Sequence, residues 1–258
     1  MLRKSFILLD KIGVRKERSI WSQGVGDWRD FLSAGKVNGI GKASKGFYDR
    51  QIVRARKALA DEDSHYFAAA LPASEHWRLF DEFGSEAVYL DIETTGLGFY
   101  DSLTVVGLYD GTATKTMIRG VNLDYRRLAE ELSKYRMIIT FNGASFDLPF
   151  LRKYAKIPEV PHLDLRFACK RVGLSGGLKS IERQLGIERA NKIIADFNGG
   201  DAAELWRLYR ATGDSYYLNL LVEYNEEDIV NLERISKLVC SELRLRALGK
   251  GLLKTTIL

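Results

Sequence analysis

The sequence has little cysteine, little histidine and no long apolar run. Its two cysteines, Cys169 and Cys240, belong to no Cys-x-x-Cys pair and no Cys/His cluster. That excludes a thiolate zinc site and a redox dithiol, so both are expected as packed, reduced thiols. The histidines, His65, His76 and His162, are too scattered to suggest a zinc centre. No apolar stretch approaches the ~20 residues that span a bilayer, so a membrane partner is not expected. The chain starts with charge, but the apolar stretch from Phe6 to Leu9 ends after four residues. A secretory signal needs a longer one, and a cytoplasmic protein is expected.

What is present is 258 residues, enough for one large domain or one domain with an appendage. Hydrophobic residues make up 46% of them, which at this length allows a sizeable core. The net charge of +5 is unevenly spread. Residues 1–60 hold 14 Lys/Arg against 5 Asp/Glu, and the remainder 25 against 29. A basic front end joined to a slightly acidic body fits a nucleic-acid-binding segment on a carboxylate-rich catalytic domain. A solvated basic face without a partner has the same signature.

The texture of the chain changes near residue 87. Before it, short helices are expected over residues 14–23, 28–33, 47–59 and 75–83, with no strand-like alternation. After it come strands at 87–92, 103–109 and 114–118, the last two joined through Asp110-Gly111, a type I′ hairpin signal. A helix is expected over 123–135, a strand over 137–141 and a helix over 146–155, with Pro149 tolerated in its first turn. Residues 162–168 are read as a strand. Residues 178–185, 202–211 and 216–243 are read as helices, the last broken near Glu223. A meander followed by parallel crossovers implies a mixed sheet flanked by helices.

Three acidic segments carry the chemistry. Asp91 and Glu93 lie two apart at a strand end, so they share a face. Two carboxylates there are costly to desolvate unless a cation lies between them. An acidic strand end at the surface is the simpler alternative. The turn Thr94-Thr95-Gly96-Leu97 follows, with backbone N–H groups able to meet a ligand. Asp147 opens a helix, where it or Ser145 could simply cap the first turn. Asp228 lies one helical turn after Tyr224, on the same face, although a solvated acidic helix would look alike.

In combination these segments say more. DIETTGL (91–97), NGASFDLPFL (142–151) and YNEED (224–228) resemble, in order, the three motifs of the DEDDy 3′→5′ exonucleases. The resemblance extends over about residues 87–240 to the YprB-like ribonuclease-H-like group. His162-Leu163-Asp164-Leu165, Leu178-Lys179-Ser180-Ile181-Glu182 and Leu185-Gly186-Ile187-Glu188-Arg189 also fit that group's pattern. The middle motif is similar to that of the proofreading domain of family B polymerases. The resemblance implies a ribonuclease-H-like five-stranded mixed sheet flanked by helices over residues 84–245. Residues 1–80 would then form a small basic helical domain and 246–258 a tail.

It further implies phosphodiester hydrolysis at single-stranded 3′ ends of DNA or RNA, with two Mg²⁺ or Mn²⁺ ions about 4 Å apart. Asp91 would bridge both ions. Glu93 and Asp228 would complete the site holding the attacking water, Asp147 would serve the other, and Tyr224 would orient or help deprotonate that water. Asn142 and Phe146 would contact the terminal nucleotide. The turn at Thr94, Thr95, Gly96 and Leu97 would meet the 3′ end, with Leu97 wedged against the terminal base. Asp164 is a fifth acidic position, read as a hydrogen-bonded structural carboxylate. Gly173-Leu174-Ser175-Gly176-Gly177 is read as a flexible turn, since a phosphate-binding P-loop would need a different context.

In the front end, Ile12-Gly13-Val14 through Phe31-Leu32 resembles a helix-hairpin-helix in which Lys11 stands at the usual leading glycine. Gly39-Ile40-Gly41, followed by Lys42 and Lys45, is a second candidate. These offer helix-start N–H groups to phosphate, whereas a purely structural helical domain would use its tryptophans as core. An alternative for the whole chain is a ribonuclease-H-like module that binds nucleic acid without cutting it. Keeping four carboxylates and Tyr224 speaks against that, because clustered negative charge repels phosphate.

Overall fold

A computed structural model describes residues 1–96, 98, 101–194 and 197–249. The chain divides into two compact units: Met1–Gly84 with Glu159–Pro161, and the described residues from Ser85 to Pro158 and from His162 on.

The first unit is helical. A 3-10 turn (Leu2–Lys4) precedes α1 (Val14–Trp21), α2 (Trp28–Ser33), α3 (Lys42–Ala60) and α4 (Ser64–Ala70). A 3-10 segment (Ala73–Leu79) then leads into the short α5 (Phe80–Phe83). Asp27 caps α2, accepting from the N–H groups of Arg29 and Asp30, and Asp63 caps α4. The helix expected over 47–59 starts five residues earlier, at Lys42, directly after Gly41. The expectation for 75–83 is corrected to mostly 3-10 geometry, and α4 had no counterpart in the sequence reading. Trp28 and Trp77 are buried with Phe6, Phe31 and Phe67. A polar knot sits among them: the fully buried Glu17 accepts from Ser5 Oγ (3.0 Å), Phe6 N (2.7 Å) and Arg78 Nη2 (3.0 Å). Arg78 also pairs with Glu75 at 2.6 Å. At the two hairpin sequences, Lys11 takes φ 60° and Gly39 φ 79°, and Gly13 and Gly41 start α1 and α3 with no side-chain cap.

The second unit is built on a five-stranded sheet of order β3-β2-β1-β4-β5. β1 (Ala87–Thr94), β2 (Leu103–Tyr109) and β3 (Thr114–Ile118) form an antiparallel meander. After α6 (Tyr125–Leu132), β4 (Met137–Thr140) pairs parallel to β1, and after α7 (Asp147–Leu151), β5 (His162–Asp164) pairs parallel to β4. Then come α8 (Leu165–Val172), α9 (Leu178–Gln184), α10 (Gly199–Thr212) and α11 (Ser215–Ala247). This is the mixed, helix-flanked, ribonuclease-H-like sheet that the sequence predicts. β1 is central, and its Val88, Tyr89, Leu90 and Ile92 are all buried, as a strand covered on both faces requires.

Three readings are corrected. Tyr109 pairs with Thr114 across a four-residue loop, and among residues 110–113 only Gly111 has positive φ, so the hairpin is not type I′. Asp110 Oδ1 holds the loop instead by accepting from Thr112 and Ala113 N–H. Residues 162–168 are a three-residue strand running directly into α8, because Asp164 caps the helix through Arg166 N–H. α11 is one unbroken helix of 33 residues, its apolar stripe on the sheet holding it through the acidic stretch near Glu223. Cys169 and Cys240 are buried and are not in a disulfide. Among the described residues no helix is long and apolar enough to cross a membrane.

Candidate active site

The end of β1 supplies the first two carboxylates. Alternation sends Asp91 and Glu93 to the same face, the face covered by α11. Opposite Asp91 in the antiparallel register is Gly107 of β2. This glycine matters because a Cβ there would collide with the Asn225 side chain. Through the space left, Asn225, fully buried on α11, donates from Nδ2 to Asp91 Oδ2 at 2.9 Å. Its Oδ1 has no conventional hydrogen-bond partner among the described residues and faces the Gly107 Cα–H, a weak contact.

Asp147 begins α7, yet it does not cap it. Its Oδ1 accepts from Ile92 N–H at 3.1 Å, beyond the point where the β1–β4 pairing ends at Tyr89. The preceding turn is shaped by Asn142, at φ 69°, a conformation that asparagine tolerates better than most residues. Asp164 holds that turn, accepting from Asn142 N–H at 2.9 Å and Ala144 N–H at 3.0 Å as well as from Arg166 N–H. These hydrogen bonds are all to backbone. Phe146 is half-buried and rests on Phe150, ring centroids 5.9 Å apart.

Asp228 and Tyr224 come from α11, one turn apart on a buried face. Arg189 ion-pairs with Asp228 and, through Nε (2.9 Å) and Nη2 (3.0 Å), with Glu182. The Arg189 side chain is 4% exposed, so this charge is shielded from water and is not a surface pair. Its Cζ also lies 5.8 Å from the Tyr224 ring centroid, and Lys179 Nζ lies 5.1 Å from it. Lys179 itself is anchored on the carbonyls of Ile194 and Phe197. Tyr224 lines the cavity described next.

A cavity of about 1260 Å³ brings Asp91, Glu93, Asp147 and Asp228 together with Tyr224, Thr94, Gly96, Asn142 and Phe146. Thr95 is exposed and does not line it. Its hydroxyl donates to Asp101 Oδ1 (2.8 Å) and accepts from Ser102 N–H, while Thr94 Oγ1 donates to Gly96 O (2.6 Å). Both threonine hydroxyls therefore hold the turn in shape. A Cβ on Gly96 would crowd the Asp101 carboxylate, which would have to shift. Leu97 lies outside the described residues.

Asp91, Glu93 and Asp228 each offer an oxygen within 4.8 Å of the others, a group that could hold a metal ion. The set is oxygen-only, and Arg189 ion-pairs with its Asp228. Such a set suits a hard divalent cation. The electrostatics fit the same view. Burial, then the neighbouring Asp147, Glu93 and Asp228, hold the Asp91 carboxyl well above the usual range. Burial, then Asp228 and Asp147, do the same to Glu93. Burial pushes Asp147 up to about 7, against its backbone hydrogen bonds, and Asp228 up to about 6, against the pull of Arg189. Burial and the carboxylates of Asp228, Glu93 and Asp91 push the Tyr224 hydroxyl far above its ordinary value.

Sequence reasoning assigned no role to Asn225, Gly107, Arg189 or Asp101. Gly107 had a signal of its own: a glycine inside an apolar strand often marks close approach by another group. Arg189 ends the Leu185–Arg189 segment that fits the family pattern, but nothing local links it to Asp228, 39 residues away in sequence.

The sheet order, with clustered carboxylates at the end of its central strand, defines the class as a nuclease-like α/β protein. A family model, RNase_H_2 of the RNase_H superfamily, matches residues 88–240. The chain belongs to the RNase H superfamily. No curated protein matches it.

Proposed function

We propose that this protein is a metal-dependent 3′→5′ exonuclease of the DEDDy, YprB-like type, acting in the cytoplasm on single-stranded ends of DNA or RNA. The observation that carries the reading is the grouping of Asp91, Glu93 and Asp228 within one cavity that Asp147 and Tyr224 also line. Asp91, Glu93, Asp147 and Asp228 would hold two divalent ions, Mg²⁺ or Mn²⁺. Bound there, the ions would supply an activated water and stabilise the leaving oxygen.

The protein's own residues do the rest. Asn225 fixes the Asp91 carboxylate, and Arg189 fixes that of Asp228. Tyr224, its ionisation suppressed by burial, stays protonated and orients the attacking water by hydrogen bonding; this favours positioning over proton abstraction. Asn142 and Phe146 seat the terminal nucleotide, and the Thr94–Gly96 turn offers backbone to the 3′ end. Water oxygen bonds to the terminal phosphorus, the bond to the 3′-oxygen of the penultimate nucleotide breaks, and that oxygen takes up a proton. The products are a nucleoside 5′-monophosphate and a strand one residue shorter. The basic helical unit (1–80) binds the strand's phosphates.

Incubation with end-labelled single-stranded DNA and RNA tests this. A ladder receding from the 3′ end in Mg²⁺ or Mn²⁺, absent in EDTA, is expected. Internal cuts or recession from the 5′ end would overturn the reading. One observation favours a second reading, a non-catalytic nucleic-acid-binding module: Arg189, shared with Glu182, ion-pairs with Asp228 and would compete with a cation for it. Strand binding without cleavage at any metal concentration would select it.

A further inference from the structure

The cavity holding the carboxylates has a second chemical character along α8. That helix buries Leu165, Ala168, Cys169 and Val172, and presents Arg166, Phe167 and Lys170 to solvent. All three exposed residues line the same cavity as Asp91 and Asp228. Phe167 is 52% exposed, and of the large exposed hydrophobic residues among those described it is the one that lines this cavity. A phenyl ring left in water inside a concave site gains by being covered. Neither Arg166 nor Lys170 is paired with a carboxylate among the described residues; Arg166 Nη1 donates to Asn142 Oδ1 at 2.6 Å. Asp164 ties the start of α8 to the turn that precedes Asp147, because it caps the helix and also accepts from Asn142 and Ala144 N–H.

We propose that Phe167, with Arg166 and Lys170, forms a second nucleotide subsite, which selects an unpaired polynucleotide of at least two residues. This rests on the exonuclease reading above. Phe167 stacks on the base next to the terminal one, and the two cations meet the phosphates leading away from the carboxylates. Stacking on an aromatic ring needs a base free of its partner strand, and it tolerates any base. A paired end would have to melt before its second base reached Phe167.

The full chain carrying Asp228→Asn, titrated into labelled substrates, tests the subsite without turnover. The substrates are a nucleoside monophosphate, a ten-nucleotide strand of DNA, the same strand of RNA, and a blunt duplex. Phe167→Ala should weaken binding of a ten-nucleotide strand about 10-fold or more, leave the monophosphate unaffected and leave the melting temperature unchanged. Phe167→Trp should restore affinity, with its fluorescence quenched as the strand binds. Lys170→Ala should flatten the salt dependence. The DNA and RNA arms show which sugar the subsite accepts. Strand affinity indifferent to Phe167→Ala overturns the subsite and leaves the exonuclease reading standing; a duplex bound as tightly as a single strand overturns the subsite and the single-strand preference, and leaves the nuclease chemistry standing. Failure of the parent to bind any of the four substrates overturns both.

Discussion

In the exonuclease reading Asp228 would hold a metal and Tyr224 would position the water, and two substitutions separate these roles. Asp228→Asn keeps size and removes a charge, so cleavage should be abolished while strand binding stays intact or tightens. Tyr224→Phe removes only a hydroxyl. Its loss should be smaller, roughly 10–1000-fold, the scale on which positioned hydrogen-bonding groups act. A labelled oligonucleotide and a thermal melt measure both; full activity in a folded Asp228→Asn protein would mean that the carboxylates are not the active site. The raised carboxyls also set a pH dependence of stability. Asp147 and Asp228 bind protons more tightly folded than unfolded, so the native state holds the extra protons between about pH 4 and about pH 7. Stability of the metal-free protein should therefore fall as pH rises through that window and level off above it. Mn²⁺ should raise the melting temperature more at pH 8 than at pH 5, because it binds the deprotonated carboxylates. A melting temperature that climbs from pH 4 to pH 7 in EDTA would contradict this.

At the scale of elements, the link between β2 and α11 is the most exposed to a single change. Gly107→Ala places a methyl where Asn225 sits, and a core overfilled in this way typically loses about 1–3 kcal/mol. Asn225 would have to leave Asp91, so single-turnover cleavage should drop by more than the melt alone accounts for. Wild-type turnover in Gly107→Ala would show that Asn225 is not needed to hold Asp91. The elements themselves were unevenly legible. β1, β2 and β3 could be read from composition and alternation, as could α2 to the residue. The start of α8 could not, because Leu163 to Ala168 is apolar enough for a strand, and only the capping of Arg166 N–H by Asp164 turns the chain. The same misreading hid Phe167 and Lys170, whose shared exposure exists only once α8 is a helix. α11 appeared broken because its acidic stretch looks solvated, whereas Asn225 and Asp228 point inward and Glu226 accepts from Thr114 and Thr116 on β3.

For the whole molecule, the division of charge carries the expectation about binding. On α3, Arg50, Arg54, Arg56 and Lys57 are exposed. Replacing these four with glutamine should weaken strand binding and reduce the slope of log K against log salt by about 0.7–0.9 for each phosphate that is no longer neutralised. Catalysis at saturating substrate should change little. Anisotropy titrations at several salt concentrations measure the slope; an unchanged slope would make the basic excess a solvated face. Folding should survive, since the interior of this unit is held by Trp28, Trp77 and the Glu17–Arg78 pair.

The sequence by itself determined the fold class, the order of the three acidic motifs and the separation of a basic helical segment from an α/β body. Those properties reside in local periodicity, in composition and in motifs whose residues are close along the chain. The tertiary structure alone decided which groups hold the carboxylates. Asn225 reaches Asp91 through the space at Gly107, Arg189 meets Asp228 from a loop, and Asp164 couples α8 to the Asn142 turn. Each joins segments distant in sequence, set by close packing and by the need to pair every buried charge, and neither condition leaves a periodic mark in the chain.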